Sequence, residues 1–152
     1  MHHLIEQASD IIQANDVTIS ICIEESITAL VRAAENIKDD YLVSFYEVSG
    51  KNGNKRGSRM PSVRSRKSEG GTTIEIRWMR VAKVDDQVHR KSYSKGTGFG
   101  YSVGRLTKGA PEWEVELVRK TEEQFTTIRK LYTNLARLRK QKSALMQSVK
   151  SV

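Results

Sequence analysis

The chain of 152 residues is poor in several residue types, and each scarcity excludes a class of protein. The single cysteine, Cys22, excludes an internal disulfide framework and a zinc site built from cysteines. The three histidines, His2, His3 and His89, lack the spacing of a preorganised metal site. No run approaches the 18 apolar residues of a membrane-spanning helix, and the N-terminus lacks the basic and apolar regions of a signal peptide. We therefore expect a cytoplasmic protein without membrane contacts, metal or cofactor.

Signals for catalysis are also missing. Only His89 is available as an internal base, and no Gly-x-Ser-x-Gly nucleophile elbow is present. The glycines at 96–100 lead into a predicted strand, whereas a dinucleotide-binding loop leads into a helix. We interpret acidic pairs such as Glu122-Glu123 as solvated faces, and Cys22 as a small buried hydrophobic residue. The sequence thus predicts that the protein is not an enzyme.

Positive charge is abundant, and it is unevenly distributed. The formal net charge is +8, from 26 Lys and Arg against 18 Asp and Glu. Residues 1–40 carry −6, residues 41–111 carry +10 and residues 112–152 carry +4. A strongly basic block beside an acidic segment is typical of a surface that faces a polyanion.

Hydrophobic periodicity predicts helices at both ends of a single α+β domain. Apolar residues recur every three or four positions through an N-terminal helical segment, 1–40, although alternation at 17–23 also fits a strand. Pro111 opens a long C-terminal helix over 111–152, since proline is tolerated in a first helical turn. Part of its apolar stripe follows a heptad, which indicates helix packing or an oligomer contact. The residues of this stripe are Ile128, Leu131, Leu135, Leu138 and Leu145.

The middle segment, 41–110, is predicted to form an antiparallel meander of about four strands. The predicted strands span 41–48, 72–84, 87–94 and 99–106. In the second strand Ile74, Ile76 and Trp78 share one face, and Asp85-Asp86 make the turn to the third. Between the first two, residues 50–67 contain seven Lys or Arg and no acid, together with many glycines and serines. This composition predicts a long, basic, mobile loop at 50–70.

Basic residues interleaved with aromatic residues are the main functional signal. Phosphates are bound by several cations that converge from separate elements, and guanidinium groups bind them bidentately. The candidate nucleic-acid-binding residues are Arg56, Arg59, Arg64, Arg66, Lys67, Arg77, Arg80, Lys83, Arg90, Lys91, Lys95, Arg105 and Lys108. This pattern favours DNA or RNA binding without distinguishing duplex from single strand.

Several alternatives remain open at this point. The basic face suits an adaptor with an acidic protein partner, and Tyr93, Phe99 and Tyr101 suit an RNA-binding module that stacks bases. The C-terminal helix packs either on the N-terminal helix of its own chain or between two chains of a homodimer, with its last fifteen residues projecting.

Three stretches resemble the MobI family of conjugative transfer proteins. They are Thr72–Trp78, Phe99–Ser102, and the run from Trp113 through Glu122 to Ile128-Arg-Lys. MobI-type proteins are encoded by integrative conjugative elements and related plasmids, and they are auxiliary factors for DNA mobilisation. The resemblance implies a non-enzymatic relaxosome component that acts at the origin of transfer beside the relaxase. It assigns no individual binding residues.

Overall fold

The computed structural model describes residues 2–151. A long helix, α1 (His2–Val48), is followed by strands β1 (Arg59–Ser68), β2 (Gly71–Val84) and β3 (Gln87–Ser92). A one-turn helix, α2 (Val103–Leu106), precedes the second long helix, α3 (Glu112–Lys150). The predicted α+β class is confirmed, with an antiparallel sheet between two terminal helices.

Helix α1 is longer than predicted and is continuous through residues 17–23, where alternation also fits a strand. Its 47 residues extend about 70 Å. The strand predicted at 41–48 is wrong, because these residues form the last two turns of α1. Tyr41 and Phe45, four residues apart, both point into the core, and this tertiary packing outweighs the β-propensity of their neighbours. Gly50, with φ +70°, follows the helix in the left-handed conformation that commonly ends one.

The sheet has three strands in the order β1-β2-β3. Strands β2 and β3 confirm the prediction, and the turn between them has positive φ at Asp85 and Asp86, as a type I′ hairpin requires. The loop predicted at 50–70 is wrong for residues 59–68, because these residues form β1 and pair with β2 along their whole length. The strand predicted at 99–106 is also wrong, since Ser102 caps helix α2 there.

The two long helices run antiparallel, and one face of the sheet packs against them. Trp78 of β2 is completely buried at the centre. Its ring meets the edge of Tyr41 from α1 at 5.1 Å and Phe125 from α3 at 6.0 Å, both between centroids. Ile128 closes the same core. Helix α1, the sheet and helix α3 therefore share one hydrophobic core.

Both helices continue past the sheet as a two-helix arm, which we define as residues 2–23 of α1 and 138–150 of α3. Lys142 donates a hydrogen bond to Asp16 at 2.7 Å across the arm. The residues of the predicted apolar stripe of α3 differ in burial. Ile128 is buried and Leu135 is half-buried. The remaining three positions, Leu131, Leu138 and Leu145, are exposed.

Candidate nucleic-acid interface

The face of the sheet that points away from the helices is formed by alternate residues of each strand. Because directly paired residues of antiparallel strands share a face, the register assigns this surface residue by residue. Ile76 and Trp78 point into the core, so their neighbours Arg77 and Met79 point outward. We call this surface the outer face. It comprises Met60, Ser62, Arg64, Arg66, Thr73, Glu75, Arg77, Met79, Val81, Lys83, Val88, Arg90 and Ser92.

The outer face carries five cations and one carboxylate. The carboxylate, Glu75, forms an ion pair with Arg77 on the same strand and lies opposite Arg64. Within residues 2–151, Arg64, Arg66 and Arg90 form no ion pair, and all three are exposed. The sheet therefore holds guanidinium groups on two edge strands at fixed separations, with their charge uncompensated by the protein.

Other predicted cations lie outside this face. Arg80 and Lys91 are paired across the strands on the opposite side of the sheet, and Lys67 follows the same orientation on β1. Arg56 lies in the loop before β1, while Arg105 and Lys108 lie in and after α2. The structure therefore does not bring all the predicted residues into one plane. The outer-face members of that set are Arg64, Arg66, Arg77, Lys83 and Arg90.

Arg59 belongs to the core, although it was predicted as a phosphate contact. It is only 4% exposed. Its guanidinium donates to Glu114 Oε1 at 2.9 Å, to the Leu106 carbonyl at 3.0 Å and to the Lys108 carbonyl at 2.7 Å. Burial, together with the negative charge of Glu114, raises the pKa of neighbouring Tyr41, whose hydroxyl donates to the Arg59 carbonyl. Because these groups occupy it fully, the Arg59 side chain is unavailable to a phosphate.

The part of β2 that β3 does not cover is closed by side chains from both long helices. Glu24 of α1 accepts a hydrogen bond from the Thr72 amide at 3.1 Å, and Arg139 of α3 donates to the Thr72 carbonyl at 3.0 Å. Burial alone would raise the pKa of Glu24, but hydrogen bonds from Thr72 and Arg139 outweigh it and lower the pKa below 4.5. These contacts occupy backbone groups that an open sheet edge would offer to another strand.

A buried carboxylate joins the sheet to α3 farther along the same edge. Glu122 is 1% exposed and accepts from Trp78 Nε1 at 3.0 Å, the Tyr101 amide at 2.8 Å and Thr126 Oγ1 at 2.9 Å. Arg129 donates to both of its oxygens, at 2.8 and 3.0 Å. The interpretation of Glu122 as a solvated residue is therefore wrong. Its neighbour Glu123 is exposed to solvent, as expected.

Between this edge and α3 lies a cleft of about 480 Å³. Its walls come from β2, from the loop between β3 and α2, and from α3. Phe99 is 42% exposed, while Tyr93 and Tyr132 are half-buried. Tyr101, by contrast, is a core residue whose hydroxyl accepts from the Trp78 amide at 3.3 Å. Of the three aromatic residues predicted as stacking platforms, Phe99 and Tyr93 thus remain accessible. Tyr132 was missed because it lies within the long-helix pattern.

The described residues contain no cluster of His, Cys, Asp or Glu with the makings of a metal site. They also include no helix long and apolar enough to cross a membrane. Cys22 is exposed on the arm, so the prediction that it is buried is wrong. The buried residues on this part of α1 are instead Ile23 and Ile27.

The family model described as "MobI protein" matches residues 30–143 of this chain, which is three quarters of its length. No curated protein and no solved structure matches the chain. The matched region includes the whole sheet, the cleft and most of α3, while the α1 part of the arm and residues 144–150 of α3 lie outside it.

Proposed function

The chain belongs to the MobI family, and from this premise we propose that it is a non-enzymatic DNA-binding accessory factor that acts at the origin of transfer beside the relaxase. The family name indicates a role in the mobilisation step of conjugative transfer. Within this role, the outer face is the surface that binds DNA.

The charge of the outer face is the observation that supports this proposal. Duplex DNA is a regular array of phosphates, and proteins that neutralise it release condensed counterions. Strands of a sheet are known to enter DNA grooves, with side chains of one face directed at the duplex. Arg64 and Arg66 on β1 and Arg90 on β3 frame such a face, since neither edge strand carries an acid there.

A binding titration with charge-matched variants tests the proposal. The triple variant Arg64→Ala, Arg66→Ala, Arg90→Ala removes three outer-face charges. The control triple variant Lys130→Ala, Arg137→Ala, Lys140→Ala removes three exposed charges from α3. Because net charge changes equally, any difference between the two reports the location of the contact.

We expect the outer-face variant to bind a duplex from the origin of transfer about a hundredfold more weakly at physiological salt, as the loss of three phosphate contacts implies. The control variant should stay within a few-fold of the wild type. Equal losses for both variants, or no loss for the first, would show that the outer face is not the DNA-binding surface. Circular dichroism of each variant confirms that the fold is retained.

The arm favours a second activity, which is self-association. Leu138 and Leu145 are 52% and 49% exposed, and Ile19 and Cys22 border the same apolar groove. Residues 2–23 contain three carboxylates and no Lys or Arg, whereas residues 138–150 contain four Lys or Arg and no carboxylate. Two arms related by a two-fold axis therefore place acidic α1 of one copy against basic α3 of the other.

Light scattering of the free protein tests the dimer. The variant Leu138→Gln, Leu145→Gln should be monomeric at concentrations where the wild type is dimeric. Val43→Gln is the control, because Val43 is an exposed apolar residue of α1 outside the arm. A wild-type protein that is monomeric at high micromolar concentration would refute this part of the proposal.

A further inference from the structure

The cleft beside α3 has features that the outer face lacks. It is concave, and its accessible walls are aromatic. Tyr93 and Phe99 come from the loop between β3 and α2, and Tyr132 comes from α3, so the fold has brought the aromatic residues of two distant stretches together. A volume of about 480 Å³ lies in the range of sites for small organic groups.

Cations lie at the cleft and connect it to the outer face. Arg77 lines the cleft and also belongs to the outer face, so the two surfaces are continuous. Lys95 lines it from the loop after β3, where its amine donates to the Gly98 carbonyl. The only acid in the lining is Glu75, which is already paired with Arg77.

The floor of the cleft is held by hydrogen bonds and an ion pair. Arg129 lines it, but its guanidinium is held by Glu122, by the Phe99 carbonyl at 3.0 Å and by the Ile76 carbonyl at 3.2 Å. The carbon at the centre of that guanidinium lies 5.2 Å from the centre of the Tyr101 ring. Arg129 therefore fixes the position of Phe99 at the cleft wall and is a positioning residue.

From this arrangement we propose that the cleft binds one unpaired base of single-stranded DNA, with the adjacent phosphate near Arg77 and Lys95. The proposal rests on the proposed function, since it takes DNA as the ligand and adds the strand state. Aromatic side chains bind single strands because every base has a face that stacks on a ring. In a duplex both faces are covered by neighbouring base pairs, so a base enters a concave site only after it has unstacked. The outer face then holds duplex while the cleft holds a strand displaced from it.

The test uses a short single strand with a central 2-aminopurine, whose fluorescence changes when its stacking changes. Phe99→Leu keeps the apolar character of the wall and removes the aromatic face, whereas Phe99→Trp keeps an aromatic face. Tyr46→Leu is the matched control, because Tyr46 is an exposed aromatic residue outside the cleft. Full-length protein is used throughout, with unlabelled duplex measured in parallel.

We expect Phe99→Leu to weaken single-strand binding about 5- to 150-fold, the range for one lost stacking platform, and to abolish the fluorescence change. Phe99→Trp and Tyr46→Leu should retain both, and duplex affinity should stay unchanged in the two Phe99 variants. The proposal is overturned if Phe99→Leu leaves single-strand binding unchanged or weakens duplex equally. It is also overturned if the protein binds single-stranded RNA more tightly than single-stranded DNA and Phe99→Leu weakens the binding of both strands equally. Failure of the proposed function is seen separately, as a duplex affinity that does not respond to the triple variant of Arg64, Arg66 and Arg90.

Discussion

Glu122 is the residue whose replacement should destabilise the domain most clearly, because one carboxylate satisfies five hydrogen bonds. Oε1 accepts from Trp78 and Arg129, while Oε2 accepts from Tyr101, Thr126 and Arg129. In Glu122→Gln an NH2 group replaces one of the two carboxylate oxygens. This group donates hydrogen bonds, so it faces donors at a position where the oxygen accepted from them. The charge of Arg129, whose side chain is 11% exposed, also loses its counter-charge.

The expected cost follows from this geometry. Removing one partner of a buried ion pair typically costs about 3–5 kcal/mol, because the other charge remains buried. That is a large part of the roughly 5–15 kcal/mol that stabilises a typical domain. For a chain of this size each kcal/mol lowers Tm by about 2–4 °C, so Glu122→Gln should lower Tm by roughly 6–20 °C.

Thermal and urea unfolding, followed by circular dichroism, measure this cost. Glu123→Gln is the matched control, since Glu123 is the next residue in the chain and is exposed, and we expect a change within about 0.5 kcal/mol. Adding Arg129→Met to Glu122→Gln should recover stability, because a buried pair replaced on both sides leaves no lone charge. A Tm for Glu122→Gln within about 2 °C of the wild type would refute the assignment of Glu122 as the residue that joins the sheet to α3.

Two further predictions concern stability. Gly57→Ala should lower the free energy of unfolding in urea by about 1–3 kcal/mol, because a Cβ there would lie closer than 3.0 Å to atoms of Glu114, Phe45 and Trp113. Gly98→Ala is the control and should be nearly neutral, since a Cβ at Gly98 has no atom within 4 Å, and equal effects of the two variants would contradict this packing. Because the pKa of Glu24 is lowered in the folded state, its contribution to stability is present above pH 4.5 and is lost as the pH falls through the folded-state pKa. The stability difference between wild type and Glu24→Gln should therefore shrink in urea titrations from neutral pH to about pH 3, and a difference independent of pH would contradict it.

The sequence was sufficient for the elements whose patterns are locally unambiguous. The alternation of Ile74, Ile76 and Trp78 predicted β2, and Pro111 marked the start of α3. The Asp85-Asp86 turn was recognisable from its residues alone, since aspartate tolerates positive φ. In these places local propensity and tertiary packing favour the same structure.

The sequence failed where packing or pairing outweighs local preference. Strand β1 is rich in Arg, Ser and Lys, so its residues indicate a loop, and only pairing with β2 makes it a strand. Residues 41–48 have a strand-like composition but continue α1, because Tyr41 packs against Trp78 and Phe45 belongs to the same buried core.

The same limit applies to the candidate site. A count of charges locates the basic segment, but it does not separate the buried guanidinium of Arg59 from the exposed ones of Arg64 and Arg66. The cleft was out of reach for a similar reason, because Tyr132 and Phe99 meet only once the long helix has packed against the sheet.

The salt dependence of duplex binding tests the central claim, that the outer face binds DNA, most directly. The logarithm of the binding constant should fall linearly with the logarithm of salt concentration, with a slope of about 0.9 per phosphate contact. The triple variant of Arg64, Arg66 and Arg90 should therefore have a slope smaller than that of the wild type by roughly three, while the control variant on α3 keeps the wild-type slope. Equal slopes for the wild type and the outer-face variant would contradict the account.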